Sequence, residues 1–266
     1  APKRRIHDHS MATFDVALHQ VGAEHGRTLD EASRTPSGRG ERSVEALRLH
    51  TKPRLMLFAK VETPGLAHVA YLIGDAGEVA IVDPRRDVEE YLALAQRHDA
   101  RVAYVIETHR HEDFVVGSAE IARRTGAKIV SGDHPRFGRT DVRLGDGEAL
   151  AIGALTLRAL HTPGHTPEST CWALYVEDAP GRALGVFTGD TLFVGGTGRV
   201  DLLGESETAE NAGLLFDSIR RRLLPLGDQA LVWPAHGAGS PCGGDLPDRG
   251  PTTLGVERAY NPAFVH

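Results

Sequence analysis

Apolar and β-branched runs alternate with polar turns along most of the chain and predict two groups of strands. In the first half, strands are predicted at residues 55–61, 68–73, 79–82, 102–106 and 128–130. The first three form a predicted β-meander, because Gly74-Asp75-Ala76-Gly77 supplies a turn within it. Apolar residues three and four positions apart predict helices over 88–98 and 118–125, and Gly126 ends the second.

The second half repeats this pattern. Strands are predicted at residues 149–152, 155–160, 170–176, 184–187 and 230–233. A helix is predicted over Thr208 to Leu224, and the Gly-, Pro- and Asp-rich stretch 237–250 predicts a loop. Two β-rich halves that are each closed by a helix predict an α+β fold, with two sheets face to face and helices outside.

The first 52 residues differ from the rest in composition. They contain few large apolar residues, so residues 1–52 are predicted to be a mostly disordered leader, with a short helix at most over 41–50. Residues 53–266 form the predicted folded domain. Their apolar content is consistent with a substantial core, since 41% of the whole chain is hydrophobic.

Charge and composition exclude several classes of protein. The formal net charge of -6 argues against general nucleic-acid binding, which usually requires a basic face. No apolar run approaches the ~20 residues that span a bilayer, and residues 1–10 lack the apolar segment of a secretory signal. Two cysteines are too few for a disulfide framework. We therefore expect a cytoplasmic protein with no membrane partner.

Polar residues follow four of the predicted strands, where loops on a rigid scaffold often carry function. Each group is weak evidence alone, because a single His after a strand is usually a hydrogen-bonded loop residue. All four together favour a metal site, since His is the commonest metal ligand. The groups are His109-x-His111-x-Asp113, Thr162-Pro163-Gly164-His165-Thr166, Thr188-Gly189-Asp190 and Pro234-Ala235-His236-Gly237.

This set of motifs resembles the metallo-β-lactamase fold superfamily, and the resemblance covers nearly everything except the leader. It implies a four-layer αββα sandwich. The fold hosts many chemistries, so the resemblance alone leaves the reaction open. In the dinuclear hydrolases of the superfamily, the first metal site would correspond to His109, His111 and His165 with Asp190 bridging. The second would use Asp113, residue 114 and His236.

Residue 114 is Phe in this chain, and a phenyl ring has no lone pair for a metal. A dinuclear zinc centre is therefore not expected. A decayed, inactive hydrolase is one reading of this change. The other is the persulfide dioxygenase group, which works with one metal. Segment 188–201 resembles that group. Segments 232–243 and 252–262 resemble its bacterial members that carry a rhodanese domain after the metal domain, and those members also have an apolar residue at the position of Phe114.

Carried over from that group, the iron ligands are His109, His165 and Asp190. Two imidazoles and one carboxylate leave adjacent positions open, as non-haem Fe²⁺ oxygenases require. No catalytic residue beyond this metal centre is predicted. His111, Asp113 and His236 are candidates for additional metal ligands or for groups that orient the ligands.

Arg199, Asp201 and Cys242 are candidates for residues that position the substrate. The alternatives are that Arg199 and Asp201 form an ion pair that fixes the loop, and that Cys242 is an inert loop cysteine. Cys171 is predicted to be a core residue.

The resemblance thus implies an iron-dependent persulfide dioxygenase that converts glutathione persulfide or a similar small persulfide, with O₂, to sulfite and free thiol. The alternative is a Zn²⁺-dependent thioester hydrolase of the glyoxalase II type, in which a metal-bound hydroxide is the nucleophile. A third possibility is a non-catalytic binding domain. Because no rhodanese domain follows residue 266, we expect any sulfurtransferase step to be absent or supplied by a separate rhodanese. A homodimer is also possible.

Overall fold

The computed structural model of the protein describes residues 56–265, apart from positions 64, 76, 178, 180, 244, 245, 248 and 249. The predicted leader, 1–52, and the helix considered over 41–50 lie outside the described residues. The predicted first strand, 55–61, begins at Leu57 in the structure and ends at Thr63.

Within the described residues, the first sheet has six strands that pair in the order of the chain. They are β1 (Leu57–Thr63), β2 (His68–Asp75), β3 (Glu78–Val82), β4 (Arg101–Ile106), β5 (Lys128–Gly132) and β6 (Val142–Leu144). The pairs among β1, β2 and β3 are antiparallel, which confirms the predicted meander. The strands from β3 to β6 run parallel to one another.

The second sheet also has six strands in the described part of the chain, in the order β12-β11-β10-β9-β8-β7. They are β7 (Ala149–Ile152), β8 (Leu155–His161), β9 (Thr170–Val176), β10 (Gly185–Gly189), β11 (Leu231–Pro234) and β12 (Thr252–Thr253). Strands β7 to β10 are antiparallel, whereas β10 and β11 are parallel. The carboxyl ends of β10 and β11 therefore lie at the same edge of the sheet.

The α-helices of the described residues are α1 (Glu89–Arg97), α2 (Ser118–Thr125), α3 (Thr208–Ser218), α4 (Leu254–Tyr260) and α5 (Pro262–Val265). The sequence predicts a single helix over 208–224, but α3 continues as a π-helical turn, Ile219–Leu223, and a 3-10 turn, Leu224–Leu226. Pro225 explains the change, because proline has no backbone N–H and its ring crowds the preceding turn. None of the described helices is long and apolar enough to cross a membrane.

Three layers of apolar side chains hold four layers of structure together. The central core lies between the two sheets and includes Tyr71, Trp172 and Phe187. The outer face of the first sheet packs on α1 and α2. The outer face of the second sheet packs on α3 and α4 and contains Cys171, as predicted. The αββα sandwich of the metallo-β-lactamase type is therefore confirmed.

The two sheets are connected by hydrogen bonds at the edge where β4 ends and β9 begins. The Thr170 N–H donates to the Thr108 carbonyl over 2.8 Å, and the Trp172 indole N–H donates to the Glu107 carbonyl over 3.2 Å. These bonds cross from one sheet to the other. They hold the loop that follows β4 against the loop between β8 and β9, and both loops carry predicted metal ligands.

Candidate metal centre

Four loops at this edge of the sandwich bring all the predicted metal ligands together. His109, His111 and Asp113 follow β4, and His165 lies between β8 and β9. Asp190 is the residue immediately after β10, and His236 comes two residues after β11. The predicted ligands form a first group, His109 with His165 and Asp190, and a second group, His111 with Asp113 and His236. A third cluster, Asp190 with His236 and Cys242, shares one residue with each group.

The first group has the composition of a metal site. One ligand atom from each of His109, His165 and Asp190 lies within 4.8 Å of the other two, and all three residues are buried. The Nε2 atoms of His109 and His165 lie 3.7 and 3.4 Å from Asp190 Oδ2. Among the described residues, this buried oxygen has no hydrogen-bond partner. Because an unpaired buried carboxylate oxygen is costly, the group fits a cation held between these three side chains.

Hydrogen bonds fix the tautomers of both histidines in the form that a metal needs. Thr108 Oγ1 donates its hydrogen to Asp83 Oδ2 over 2.8 Å, so it accepts from His109 Nδ1–H over 2.9 Å. His165 Nδ1 lies 2.9 Å from the Arg199 carbonyl, which can only accept. When each imidazole carries a single proton, that proton is therefore on Nδ1, and Nε2 carries the lone pair.

Asp83 is a functional residue that sequence analysis missed, and it organises the loop after β4. Its Oδ1 accepts the Thr108 N–H over 2.8 Å and lies 3.2 Å from His111 Nε2. The residue is buried and has a φ of 50°, which is uncommon for a side chain other than glycine. The signal in the sequence was an Asp at a strand end, before Pro84, the same signal that marked Asp190.

In the second group, His236 lies between two carboxylates. Its Nδ1 is 2.7 Å from Asp190 Oδ1, and its Nε2 is 2.9 Å from Asp113 Oδ2. Burial lowers the pKa of His236, but the hydrogen bonds to Asp113 and Asp190 outweigh burial and raise the pKa to about 10. His236 thus holds Asp190 through Oδ1, while Oδ2 faces His109 and His165. His111 belongs to the second group, and the centre of its ring lies 4.1 Å from that of His109.

Phe114 lies within the site, at the second group. The centre of its ring is 4.4 Å from that of His111 and 4.2 Å from that of His68. His68 is a buried residue that sequence analysis placed in a strand and did not connect with the site. Burial is the main reason why the pKa of His68 falls to about 4, so this imidazole is neutral. The side of the site next to His111 is therefore an aromatic wall.

Close backbone packing fixes His165. Gly164 has a φ of 140°, and a Cβ atom there would lie 2.5 Å from Leu215 in α3. Glycine is thus required both by the conformation and by the approach of the helix. The Ser218 hydroxyl, at the end of α3, donates to the Pro163 carbonyl over 2.8 Å. Helix α3 therefore determines where the His165 loop lies.

The residues predicted to position substrate lie beside the first group. The Arg199 guanidinium binds Asp201 in a half-exposed pair of hydrogen bonds, 2.6 and 2.8 Å long, as the loop-fixing alternative expects. Cys242 is buried, with its sulfur within 4.8 Å of ligand atoms of Asp190 and His236. Burial is the largest cause of a rise in the pKa of Cys242 to about 12. Its thiol is therefore protonated and close to the metal group.

The comparison with protein families agrees with this fold. The family model described as the metallo-beta-lactamase superfamily matches residues 63–236. That range contains every residue of both donor groups, from His109 to His236.

Individual relatives have two different activities in their names. Hydroxyacylglutathione hydrolase of Anaeromyxobacter dehalogenans is 40% identical over 136 residues, which cover 50% of this chain and 49% of that protein. The chain thus spans about half the length of this relative. The mitochondrial persulfide dioxygenase ETHE1 of Bos taurus is 27% identical over 225 residues, which cover 79% of this chain and 76% of that protein. The crystal structure of ETHE1 from Myxococcus xanthus is 30% identical, with a TM-score of 0.67, and the match covers 79% of this chain and 89% of that chain.

Asp83→Asn tests the role of the Asp83–Thr108 pair in setting the His109 tautomer. The amide NH₂ cannot accept from the Thr108 hydroxyl, which would then donate to His109 Nδ1 and leave the proton on Nε2. We expect metal affinity to fall about 10- to 100-fold, as for other residues that orient a metal ligand. Competition with a chelator measures the affinity. The control is Asp141→Asn, which changes a carboxylate that accepts the Ile129 N–H away from the site. Equal affinities in the two variants would contradict the role of Asp83.

Proposed function

The chain belongs to the metallo-beta-lactamase superfamily, and on that basis we propose that this enzyme is a persulfide dioxygenase with one non-haem Fe²⁺ per chain. The observation that carries the proposal is the buried first group, in which Asp190 Oδ2 faces two imidazoles and has no hydrogen-bond partner among the described residues. The first group offers two imidazoles and one carboxylate, the ligand set of many non-haem Fe²⁺ oxygenases. His111 belongs to the second group, and Phe114 occupies the position where a dinuclear site would have another ligand.

Iron is preferred over zinc because Fe²⁺, when bound, can activate O₂, whereas Zn²⁺ has no redox chemistry. The protein residues hold the donor atoms in place. Thr108 keeps the lone pair of His109 on Nε2, and the Arg199 carbonyl does the same for His165. His236 binds Asp190 Oδ1 and so leaves Oδ2 directed at the two imidazoles. A metal held by these three donors would have positions free for the substrate and O₂.

The reaction proposed is the oxidation of the outer sulfur of a persulfide, R–S–S–H. One O₂ and one water convert it to sulfite and the thiol R–S–H, with release of two protons. The persulfide loses four electrons in total, and O₂ gains four. Phe114 and His68 provide an aromatic wall that suits a polarisable sulfur and limits water beside it. We assign substrate contact to Cys242, because its protonated thiol lies next to Asp190.

Glutathione persulfide, or a similar small persulfide, is the proposed substrate. A cytoplasmic location, a homodimer and a separate rhodanese that handles the same sulfur belong to this proposal as well. The charges of Arg199 and Asp201 neutralise each other, which favours a loop-fixing role over substrate positioning for this pair.

A zinc-dependent thioester hydrolase of the glyoxalase II type is the second candidate. Two observations favour it, namely the 40% identity to a hydroxyacylglutathione hydrolase and the presence of His111, Asp113 and His236 as a second donor group. Metal hydroxide chemistry needs no change in oxidation state, so zinc would suffice. Phe114 counts against this candidate, because the second group has one ligand fewer than in the dinuclear hydrolases.

Activity distinguishes the two candidates directly. The protein is purified without added metal, and iron and zinc per chain are measured. O₂ uptake and sulfite are then followed with glutathione persulfide, and thioester cleavage with a hydroxyacylglutathione. We expect about one iron per chain and persulfide-dependent O₂ uptake. Asp190→Ala is the matched inactive variant, expected to retain no iron and to consume no O₂. Two zinc ions per chain with thioester cleavage would favour the hydrolase instead.

Phe114→His tests why the site takes a single metal. The new imidazole would stand beside His111, Asp113 and His236 and would complete a second ligand set. We expect the variant to bind a second metal ion per chain, measured by native mass spectrometry during titration with Zn²⁺. Phe114→Leu is the control, because it removes the ring without adding a donor. The account of Phe114 fails if the His variant keeps the metal stoichiometry of the control.

A further inference from the structure

Glu168 is a buried carboxylate that neither the metal group nor the proposed chemistry uses. It lies three residues after His165 and is fully buried. Its Oε1 accepts the Arg110 N–H over 3.2 Å, and among the described residues its Oε2 has no hydrogen-bond partner. Arg136 is the nearest cation, with Nε 4.0 Å away and a side chain that is 41% exposed. A partly exposed ion pair at that distance contributes little.

The bond from Arg110 joins the loops of two predicted ligands. Thr108 and Arg110 are the two sequence neighbours of His109. The Thr108 carbonyl accepts from the Thr170 N–H, so His109 has a hydrogen bond to the 162–170 segment on each side. The bond at Thr108 joins two backbone groups, which no side-chain substitution removes. The bond at Arg110 depends on Glu168 alone.

The Glu168 loop is itself tightly held, so it can serve as a fixed support. The Thr162 N–H donates to the Ser169 carbonyl over 2.8 Å, and the Thr166 and Ser169 hydroxyls are 2.8 Å apart. The Thr170 hydroxyl donates to the Glu168 carbonyl over 3.0 Å. These bonds fix the Glu168 backbone relative to His165. A carboxylate that reaches from this loop to Arg110 therefore fixes His109 relative to His165.

Burying a carboxylate with one oxygen unpaired costs free energy. Packing alone does not require it, since an apolar side chain of the same size would fill the space without that cost. The contact that an apolar side chain could not make is the one with the Arg110 N–H.

We propose that Glu168 is a positioning residue that sets the separation of the His109 and His165 imidazoles by holding the Arg110 N–H. The Glu168 side chain acts as a hydrogen-bond acceptor, and its length brings the acceptor oxygen to the Arg110 N–H. Its negative charge is secondary. The proposal rests on metal binding by His109, His165 and Asp190. It does not depend on iron or on oxygenase activity.

The test uses the full chain and Co²⁺ alone as the probe. Glu168→Gln keeps an acceptor at the same reach, so we expect Co²⁺ affinity within about threefold of wild type. Glu168→Asp keeps the charge but is one methylene shorter, and Glu168→Met keeps the length but lacks an acceptor. For both we expect affinity about 10- to 100-fold lower and shifted Co²⁺ d–d absorption bands, which report ligand geometry. Chelator competition gives the affinity.

The control is Glu257→Asp, which shortens another buried glutamate whose partners include the Gly195 N–H and the Thr252 hydroxyl. We expect the Glu257→Asp variant to have the Co²⁺ affinity and the Co²⁺ spectrum of the wild type. The proposal is overturned if Glu168→Asp has the Co²⁺ affinity and the Co²⁺ spectrum of the wild type. It is also overturned if Glu168→Gln loses as much Co²⁺ affinity as Glu168→Met. If the wild-type protein binds no Co²⁺, the ligand set and this proposal fall together. If Co²⁺ binds as expected but no persulfide-dependent O₂ uptake occurs, only the proposed function is wrong.

Discussion

The Asp190 carboxylate is buried between three histidines, and the rest of the site is arranged around it. Burial raises the pKa of this carboxyl group, but His109 and the hydrogen bond from His236 more than offset burial and hold the pKa well below its usual range. The group is therefore charged in a place without bulk water, so cationic or donor groups must surround it. The protein supplies His236 on one oxygen, and a metal between His109 and His165 would satisfy the other.

The donor residues are far apart in the sequence, so the fold must place the ends of several strands accurately next to one another. Parallel strands β10 and β11 bring Asp190 and His236 to one edge, and the bond from Thr170 to Thr108 adds the loop after β4. The same edge carries the residues that aim the donors, Asp83 and Glu168 among them. Activity thus depends on loops, while the buried sheets fix where those loops begin.

Sequence alone predicted the parts that local patterns determine. Helix α2 has the predicted bounds, because its apolar spacing is regular and Gly126 adopts the left-handed conformation that ends it. Strands β6 and β12 and helices α4 and α5 were missed, because they are too short to show a periodicity. Asp83, His68 and Glu168 were missed for another reason: their roles come from contacts with residues distant in sequence. The assignment of His109, His165 and Asp190 as ligands remains a prediction that the geometry supports.

With Phe114 in place of a ligand, the site is expected to hold one metal, bound by the imidazoles of His109 and His165. X-ray absorption of the Fe²⁺-loaded protein tests this most directly, because it counts imidazole ligands and detects a second metal. The account predicts scattering from two imidazoles and no metal–metal distance near the ~3.5–4 Å of two-metal sites. A third imidazole at the iron, or a metal–metal distance in that range, would contradict it.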